Sequence, residues 1–186
     1  MAHNHYLKVL FVTNGIFVFA ASLLGPLYAV FVQKLGNGIL TISATYAAEL
    51  LSATVFTIIL SRLHDKFIRH EALLLIGFLI RAVIWITFMF IHSLPELMIL
   101  QVALGIGDAV GSPAFNSFFA EHLDKDKHLQ EYADWQVLNN VAVAASTIVG
   151  GFIASLFGFP MLFLTMALLA CIAAIILIKN LLLEAH

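Results

Sequence analysis

The stretch FPMLFLTMALLACIAAIILI, residues 159–178, contains no charged side chain and is apolar almost throughout. About 20 consecutive apolar residues suffice for a helix to cross the hydrocarbon core of a bilayer. Five similar runs precede it, so the candidate spans cover approximately residues 8–32, 39–61, 72–92, 95–119, 133–157 and 159–179. Lipid cannot satisfy exposed backbone groups, and no alternating barrel pattern is present. The sequence therefore predicts an all-α membrane protein with six transmembrane helices in a single domain, residues 1–186.

The composition of the chain supports the same class. Hydrophobic residues make up 62% and charged residues 11% of the 186 residues, and the mean hydropathy is +1.01. Ordinary soluble domains are about 45–50% apolar and about 25% charged. The composition therefore excludes soluble enzymes, nucleic-acid-binding proteins and disordered scaffolds. The single cysteine, Cys171, lies within an apolar run, which rules out an intramolecular disulfide framework and a cysteine-rich metal site.

The distribution of basic residues predicts the orientation of the chain. Lys and Arg accumulate in the cytoplasmic loops of membrane proteins. If both termini are cytoplasmic, Lys34 is the only basic residue of the outer links, while Arg81 lies within a span. The inner side then holds the remaining basic residues: Lys8, Arg62, Lys66, Arg69, Lys125, Lys127 and Lys179. We expect an integral protein of the plasma (inner) membrane of a prokaryote with cytoplasmic N- and C-termini.

Polar residues are concentrated in four of the six predicted helices. Gln101, Gly105, Asp108 and Ser112 follow one another at helical spacing, which places them on one face of helix four. Helices one, two and five carry further polar residues, whereas helices three and six are nearly apolar. The pattern predicts that helices one, two, four and five surround a polar interior, with three and six outside. For the small residues alone, simple helix packing is the alternative.

Three ionisable residues, Glu49, Arg81 and Asp108, lie near the middle of the predicted spans. Glu49 and Arg81 fall at similar heights on consecutive antiparallel helices, so we expect an intramembrane ion pair between them. Asp108 is then left without an obvious partner, which makes it a candidate for proton or substrate binding or else a protonated structural group. The candidate binding residues are Asp108, Glu49, Gln101, Asn14, Tyr28 and Asn140.

The chain divides into two sets of three spans, approximately residues 1–93 and 94–186. Asn14 lies twelve residues before Pro26, and Gln101 lies twelve residues before Pro113. This match indicates that helices one and four correspond to each other in the two sets. Because each set has an odd number of spans, the second set has the opposite topology to the first. Inverted repeats of this kind are common in secondary transporters.

The link SRLHDKFIRH, residues 61–70, resembles the signature loop after helix two of the major facilitator superfamily. Asp65, Lys66 and Arg69 match the charged positions of that signature, while Ser61 and Ile68 replace its glycines. The resemblance covers essentially the whole chain and is greatest to the N-terminal six-helix half of such transporters. It implies that these three charged residues form a cytoplasmic gate loop, for which a charged loop without a gating role is the alternative.

Two further segments are similar to motifs of the same family. GIGDAVGSPAF, residues 105–115, resembles its glycine-rich fourth helix, but Gln101 stands where the family often has an arginine. VAVAASTIVGGF, residues 141–152, ends in the glycine pair of the antiporter signature but lacks the preceding Gly-Pro, so this motif does not predict drug/proton antiport. The resemblance assigns the following residues to helix packing: Gly105, Gly107, Pro113, Gly150 and Gly151.

The resemblance implies a secondary active transporter of a small solute that works by alternating access, with proton coupling as an open option. Because the family uses two six-helix halves, this chain implies a half-length unit that needs a second half or forms a homodimer. The alternative is a non-transporting accessory or scaffold protein derived from such a half. No catalytic or phosphate-binding motif is present, and the spacing of His122, Asp124, Asp126 and His128 matches no metal site, so we expect no enzyme, cofactor or metal.

Overall fold

The computed structural model describes residues 5–36, 38–64, 70–124 and 126–184, and within these ranges all regular structure is helical. The helices are α1 (His5–Ser22), α2 (Leu27–Lys34), α3 (Ile39–His64), α4 (His70–Phe88), α5 (Leu94–Glu121) and α6 (His128–Glu184). By length and composition, four of the described helices can cross a membrane, or five if α1 and α2 together form one span.

The first predicted span, residues 8–32, is broken in the structure. α1 ends at Ser22, α2 begins at Leu27, and the helix axis bends by 42° at the break between them. Gly25 and Pro26 lie in the break. Proline has no backbone N–H and its ring excludes the preceding helical turn, so a helix interrupted here is the expected result.

The last two predicted spans lie in one long element, α6, which contains 57 residues. Its backbone leaves the helical region at Gly158, where φ is 81° and ψ is 174°. Only glycine adopts this conformation readily, because a Cβ atom would clash with the neighbouring backbone. Gly158 therefore divides α6 into a first segment, residues 128–157, and a second segment, residues 159–184, close to the boundary that the sequence predicts.

The helices pack in a definite order that centres on α4. α1 packs mainly against α6, α3 against α5, and α4 against both α5 and α6. The buried side chains of α4 include Phe78, Trp85 and Phe88, and Phe88 contacts Phe163 of the second α6 segment. α3 is the exception, because only 6% of its most apolar window is buried, compared with 39–44% for α4, α5 and α6.

Gly105 and Gly150 are among the glycines that allow unusually close contacts between helices. A Cβ atom on Gly105 of α5 would overlap the backbone of Glu49 and Ala53 on α3. A Cβ atom on Gly150 of α6 would overlap the carbonyl of Leu23, directly after α1. Small residues at helix crossings of membrane proteins permit this approach of backbones. Gly151, in contrast, has no described atom within 4 Å of the position that its Cβ would take.

This difference predicts that Gly150→Ala destabilises the protein, whereas Gly151→Ala does not. The added methyl group at Gly150 must displace the backbone at Leu23, and such overpacking typically costs about 1–3 kcal/mol. Thermal unfolding of both variants in the same lipid nanodisc measures the difference. Equal midpoints for the two variants would contradict the packing described here.

Candidate functional site

Two cavities of the described residues share Arg81 in their lining, and the larger of the two lies between α1, α4, α5 and the first segment of α6 with a volume of about 440 Å³. Its walls combine apolar and aromatic side chains with a set of polar ones. The polar residues of the lining are Asn14, Ser22, Arg81, Asp108, Ser112, Asn116 and Asn139. Helix α4, which corresponds to the third predicted span, contributes to this cavity. The polarity of the sequence predicts instead that this span lies outside the polar interior.

An ion pair between Arg81 of α4 and Asp108 of α5 stands at this cavity. The side chains are 12% and 28% exposed, respectively, and the Arg81 guanidinium also lies over the ring of Phe17, 5.3 Å from its centroid. Gly107 makes room for the arginine, because a Cβ atom at that position would lie 3.2 Å from Arg81 Cγ. The guanidinium, the carboxylate and the ring of Phe17 are therefore held together at the contact of α4 with α5.

This pairing differs from the one expected from the sequence. The equal heights of Glu49 and Arg81 favour an ion pair between them, whereas the structure pairs Arg81 directly with Asp108. The reason is the packing of the helices. Both α3 and α4 pack against α5, so α5 supplies the carboxylate that pairs with Arg81. Glu49 still interacts electrostatically with the guanidinium of Arg81.

The smaller cavity has a volume of about 190 Å³ and shares Arg81 with the larger one. Three of the candidate residues, Tyr28, Glu49 and Gln101, line it together with the aromatic side chains of Tyr46 and Trp85. Arg81 therefore stands between two cavities, with Asp108 on the side of the larger one and Glu49 on the side of the smaller one.

Tyr28, which lines the smaller cavity, belongs to a chain of hydrogen bonds. The Tyr28 hydroxyl donates to Thr45 Oγ1 at 2.5 Å, and Thr45 donates to the carbonyl of Thr41 at 2.7 Å. Gln101 is 1% exposed, and its Oε1 atom has no hydrogen-bond partner among the described residues.

The six candidate residues therefore divide into three groups. Asn14 and Asp108 line the larger cavity, and Tyr28, Glu49 and Gln101 line the smaller one. Asn140 lines neither cavity.

Asn140 is exposed and accepts a hydrogen bond from Gln136 at 2.9 Å. The neighbouring Asn139 takes its place, in helical register with Trp135 and Val143, which also line the larger cavity. The spacing of four residues groups Asn139 with Trp135 and Val143, and the rotation of the helix then decides that this face, and not the face of Asn140, meets the cavity.

The gate-loop residues Asp65, Lys66 and Arg69 lie outside the described residues. Within the described part of the chain, no three His, Cys, Asp or Glu side chains are grouped as a metal site would require.

Comparison with known proteins gives the family. A model of the Major Facilitator Superfamily matches residues 10–185. An uncharacterized MFS-type transporter of Bacillus subtilis, YitZ, is 28% identical over 165 residues, which cover 87% of this chain and 98% of the relative. A Lactococcus lactis protein named as a homolog of the multi-drug resistance efflux pump PmrA is 27% identical over 158 residues, which cover 83% of this chain and only 39% of the relative. The chain is therefore a member of the major facilitator superfamily, an integral membrane transporter and not an enzyme.

Proposed function

We propose that the chain carries out secondary active transport of a small solute by alternating access. The observation that supports this proposal best is the Arg81–Asp108 ion pair beside a cavity of about 440 Å³ within apolar helices. Charged side chains at such depth are costly and are retained mainly on solute or ion pathways. The Lactococcus relative bears the name of a drug efflux pump, so a small organic solute is the substrate class that we favour.

The transport unit that we propose has six spans in two inverted sets of three, with both termini in the cytoplasm. At 1.5 Å per residue, a straight helix of the 57 residues of α6 would be about 85 Å long, far more than the hydrocarbon core of about 30 Å. We therefore assign one span to each side of Gly158 and count the bent α1–α2 pair as one span. The basic residues in the links after the second and fourth spans support this orientation, because Lys and Arg accumulate on the cytoplasmic side of membrane proteins.

We further propose that the unit works with a second six-helix unit, either a second half or another copy of this chain. One relative is matched over 98% of its length, whereas the other is matched over only 39%. Apolar side chains are widely exposed on the two helical segments that the rest of the chain covers least. They include Leu51, Val55 and Ile58 on α3 and Val141, Ile148 and Phe152 on α6. A second unit would bury this surface.

The cytoplasmic gate in this proposal is the loop with Asp65, Lys66 and Arg69. Alternating charges at the junction of two helices can form ion pairs in one state and release them in the other. The support for this role is the match of the three residues to the charged positions of the family signature.

Purified protein in lipid nanodiscs should contain two six-helix units in the transporting form. Mass photometry measures the number of units, and solid-supported membrane electrophysiology of proteoliposomes tests a panel of small organic solutes for transport. We expect transport only from preparations in which two units are present. A stable monomer that transports would contradict the two-unit proposal, and co-purification with one dominant partner without any transport would favour an accessory role.

Asp108 is the residue that we propose for proton coupling. The charged groups at the larger cavity are Asp108 and Arg81, and Glu49 lies on the other side of the same guanidinium. A proton on Asp108 removes the counter-charge that holds Arg81 and leaves the guanidinium to Glu49. Protonation would thus shift one positive charge between the two cavities.

Asp108→Asn should therefore abolish the pH dependence of transport, because the amide cannot gain or lose this proton. The measurement compares transport currents at pH 6 and pH 8 for the solute that gives the largest signal in the panel. Asp134→Asn is the matched control, because Asp134 is exposed and lines neither cavity. Full transport by Asp108→Asn with the original pH dependence would refute this role.

A further inference from the structure

We propose that the larger cavity binds a neutral, planar molecule through a carboxamide or lactam group that pairs with the side-chain amides of Asn14 and Asn139. The inference rests on the proposed transport function and names the substrate class that this function would serve. Asn14 lies on α1 and Asn139 on the first segment of α6, and both line the cavity of about 440 Å³. Three observations carry the inference: two amides without partners, balanced charges and aromatic walls.

The amide of Asn14 is buried without a hydrogen bond. The residue is only 7% exposed, and its side chain forms no hydrogen bond among the described residues. In the same part of the chain, Gln101 Oε1 is the enclosed side-chain polar atom that has no partner. The amide atoms of Asn14 also have no partner, so they must retain contact with open space, which is the cavity that Asn14 lines. A donor and an acceptor therefore meet the cavity and need a partner there.

Asn139 places a second amide at the same cavity. Its side chain is half-buried and likewise forms no hydrogen bond within the described part of the chain. The sequence neighbours of the two asparagines are in contact, because a Cβ atom on Gly15 would lie 3.3 Å from Leu138 Cδ2. Asn14 and Asn139 therefore lie at the same level of the contact between α1 and α6.

A carboxamide or lactam is the group that complements two such amides. Each asparagine offers N–H donors and a carbonyl acceptor. The carbonyl of a ligand amide can accept from one asparagine while its N–H donates to the other, whereas a ketone can only accept. A site that hydrogen-bonds a ligand N–H rejects the analogue that lacks it, because the acceptor of the site is then left unpaired.

The charges of the cavity disfavour ionic ligands. Its charged side chains are Arg81 and Asp108, which pair with each other and cancel formally. The remaining polar residues of the lining are uncharged, and Glu49 lines the smaller cavity instead. A charged ligand would add an unbalanced charge within apolar helices, which is unfavourable. The larger cavity therefore favours a neutral amide over a carboxylate or an ammonium group.

Aromatic rings form much of the apolar wall. Phe17 and Phe78 stack with their centroids 4.4 Å apart, and the centroids of Phe115 and Trp135 are 4.8 Å apart. All four rings line the cavity, and flat aromatic ligands pack on such rings in offset-stacked or edge-to-face contacts. The volume of about 440 Å³ lies within the range of about 300–1,000 Å³ that is usual for drug-sized ligands. The cavity thus suits a planar ring that carries the amide.

The test uses the full chain in lipid nanodiscs and four probes of nearly the same shape: benzamide, acetophenone, benzoate and benzamidinium. Acetophenone retains the carbonyl and lacks the N–H donors, while benzoate carries a negative charge and benzamidinium a positive one. Isothermal titration calorimetry at neutral pH, with empty nanodiscs as the reference, measures the dissociation constant of each probe. We expect benzamide to bind at least ten times more tightly than each of the other three.

Three results of this titration would overturn the proposal. If benzamide does not bind, the cavity is not a site for amides. If benzamide and acetophenone bind equally, water suffices to satisfy the two asparagines. If benzoate or benzamidinium binds as tightly as benzamide or more tightly, the cavity does not select a neutral ligand.

Two adjacent asparagines supply the variant and its matched control. Asn139→Leu retains the approximate size of the side chain and removes its hydrogen-bonding groups. It should weaken benzamide binding at least tenfold and reduce the preference for benzamide over acetophenone, whereas a loss of packing alone would weaken both probes equally. Asn140→Leu should keep the original affinities, because Asn140 is exposed and lines neither cavity.

Asn14→Leu should have the same effect as Asn139→Leu. Because Asn14 is more deeply buried, the comparison of Asn139→Leu with Asn140→Leu decides the assignment if Asn14→Leu fails to fold. Unchanged benzamide affinity in a folded Asn139→Leu protein contradicts the proposal.

The same measurements separate this site from the transport function. Benzamide binding that depends on Asn139, in a protein that transports no solute of the panel, supports the site and contradicts the transport proposal. Transport of another solute by a protein that does not bind benzamide contradicts the site and leaves transport intact.

Discussion

A guanidinium within apolar helices needs a counter-charge, and the arrangement of this chain meets that need at Arg81. Asp108 supplies the carboxylate, Phe17 lies against the guanidinium, and Gly107 leaves the space that the arginine side chain occupies. Loss of one partner of such a pair leaves an uncompensated charge, which is strongly destabilising. The contact between α4 and α5 is therefore fixed by electrostatics as well as by packing, and both cavities are defined around the same arginine.

The sequence predicts the class of the protein and its candidate residues better than their contacts. Apolar runs and the absence of charge between residues 159 and 178 depend only on chemistry along the chain, so the helical segments follow from them. The partner of Arg81 depends on which helices touch, and consecutive helices need not be neighbours. Because α3 packs on α5 and not on α4, the carboxylate that pairs with Arg81 belongs to Asp108 and not to Glu49.

Two details of the fold also show the difference between what the composition predicts and what helix packing decides. The Gly25-Pro26 sequence is a recognisable signal for a break in the first span. A hydropathy average does not detect the break, because apolar residues lie on both sides of it. The choice between Asn139 and Asn140 needs the rotation of the first α6 segment, which is set by its contact with α1. Composition gives the presence of amides there, and packing decides which one faces the cavity.

The crossing of α3 and α5 has a mechanical consequence. Gly105 brings the α5 backbone against Glu49 and Ala53, and Ser52 donates a hydrogen bond of 2.7 Å to the carbonyl of Val102 at the same crossing. Besides α5, α3 packs to a lesser extent on α2, and most side chains of its apolar window are not buried. A tilt of α3 about this crossing would move the ends of the helix the most and Glu49 the least. Such a tilt would change the surroundings of α3 and leave the position of the Glu49 carboxylate nearly unchanged.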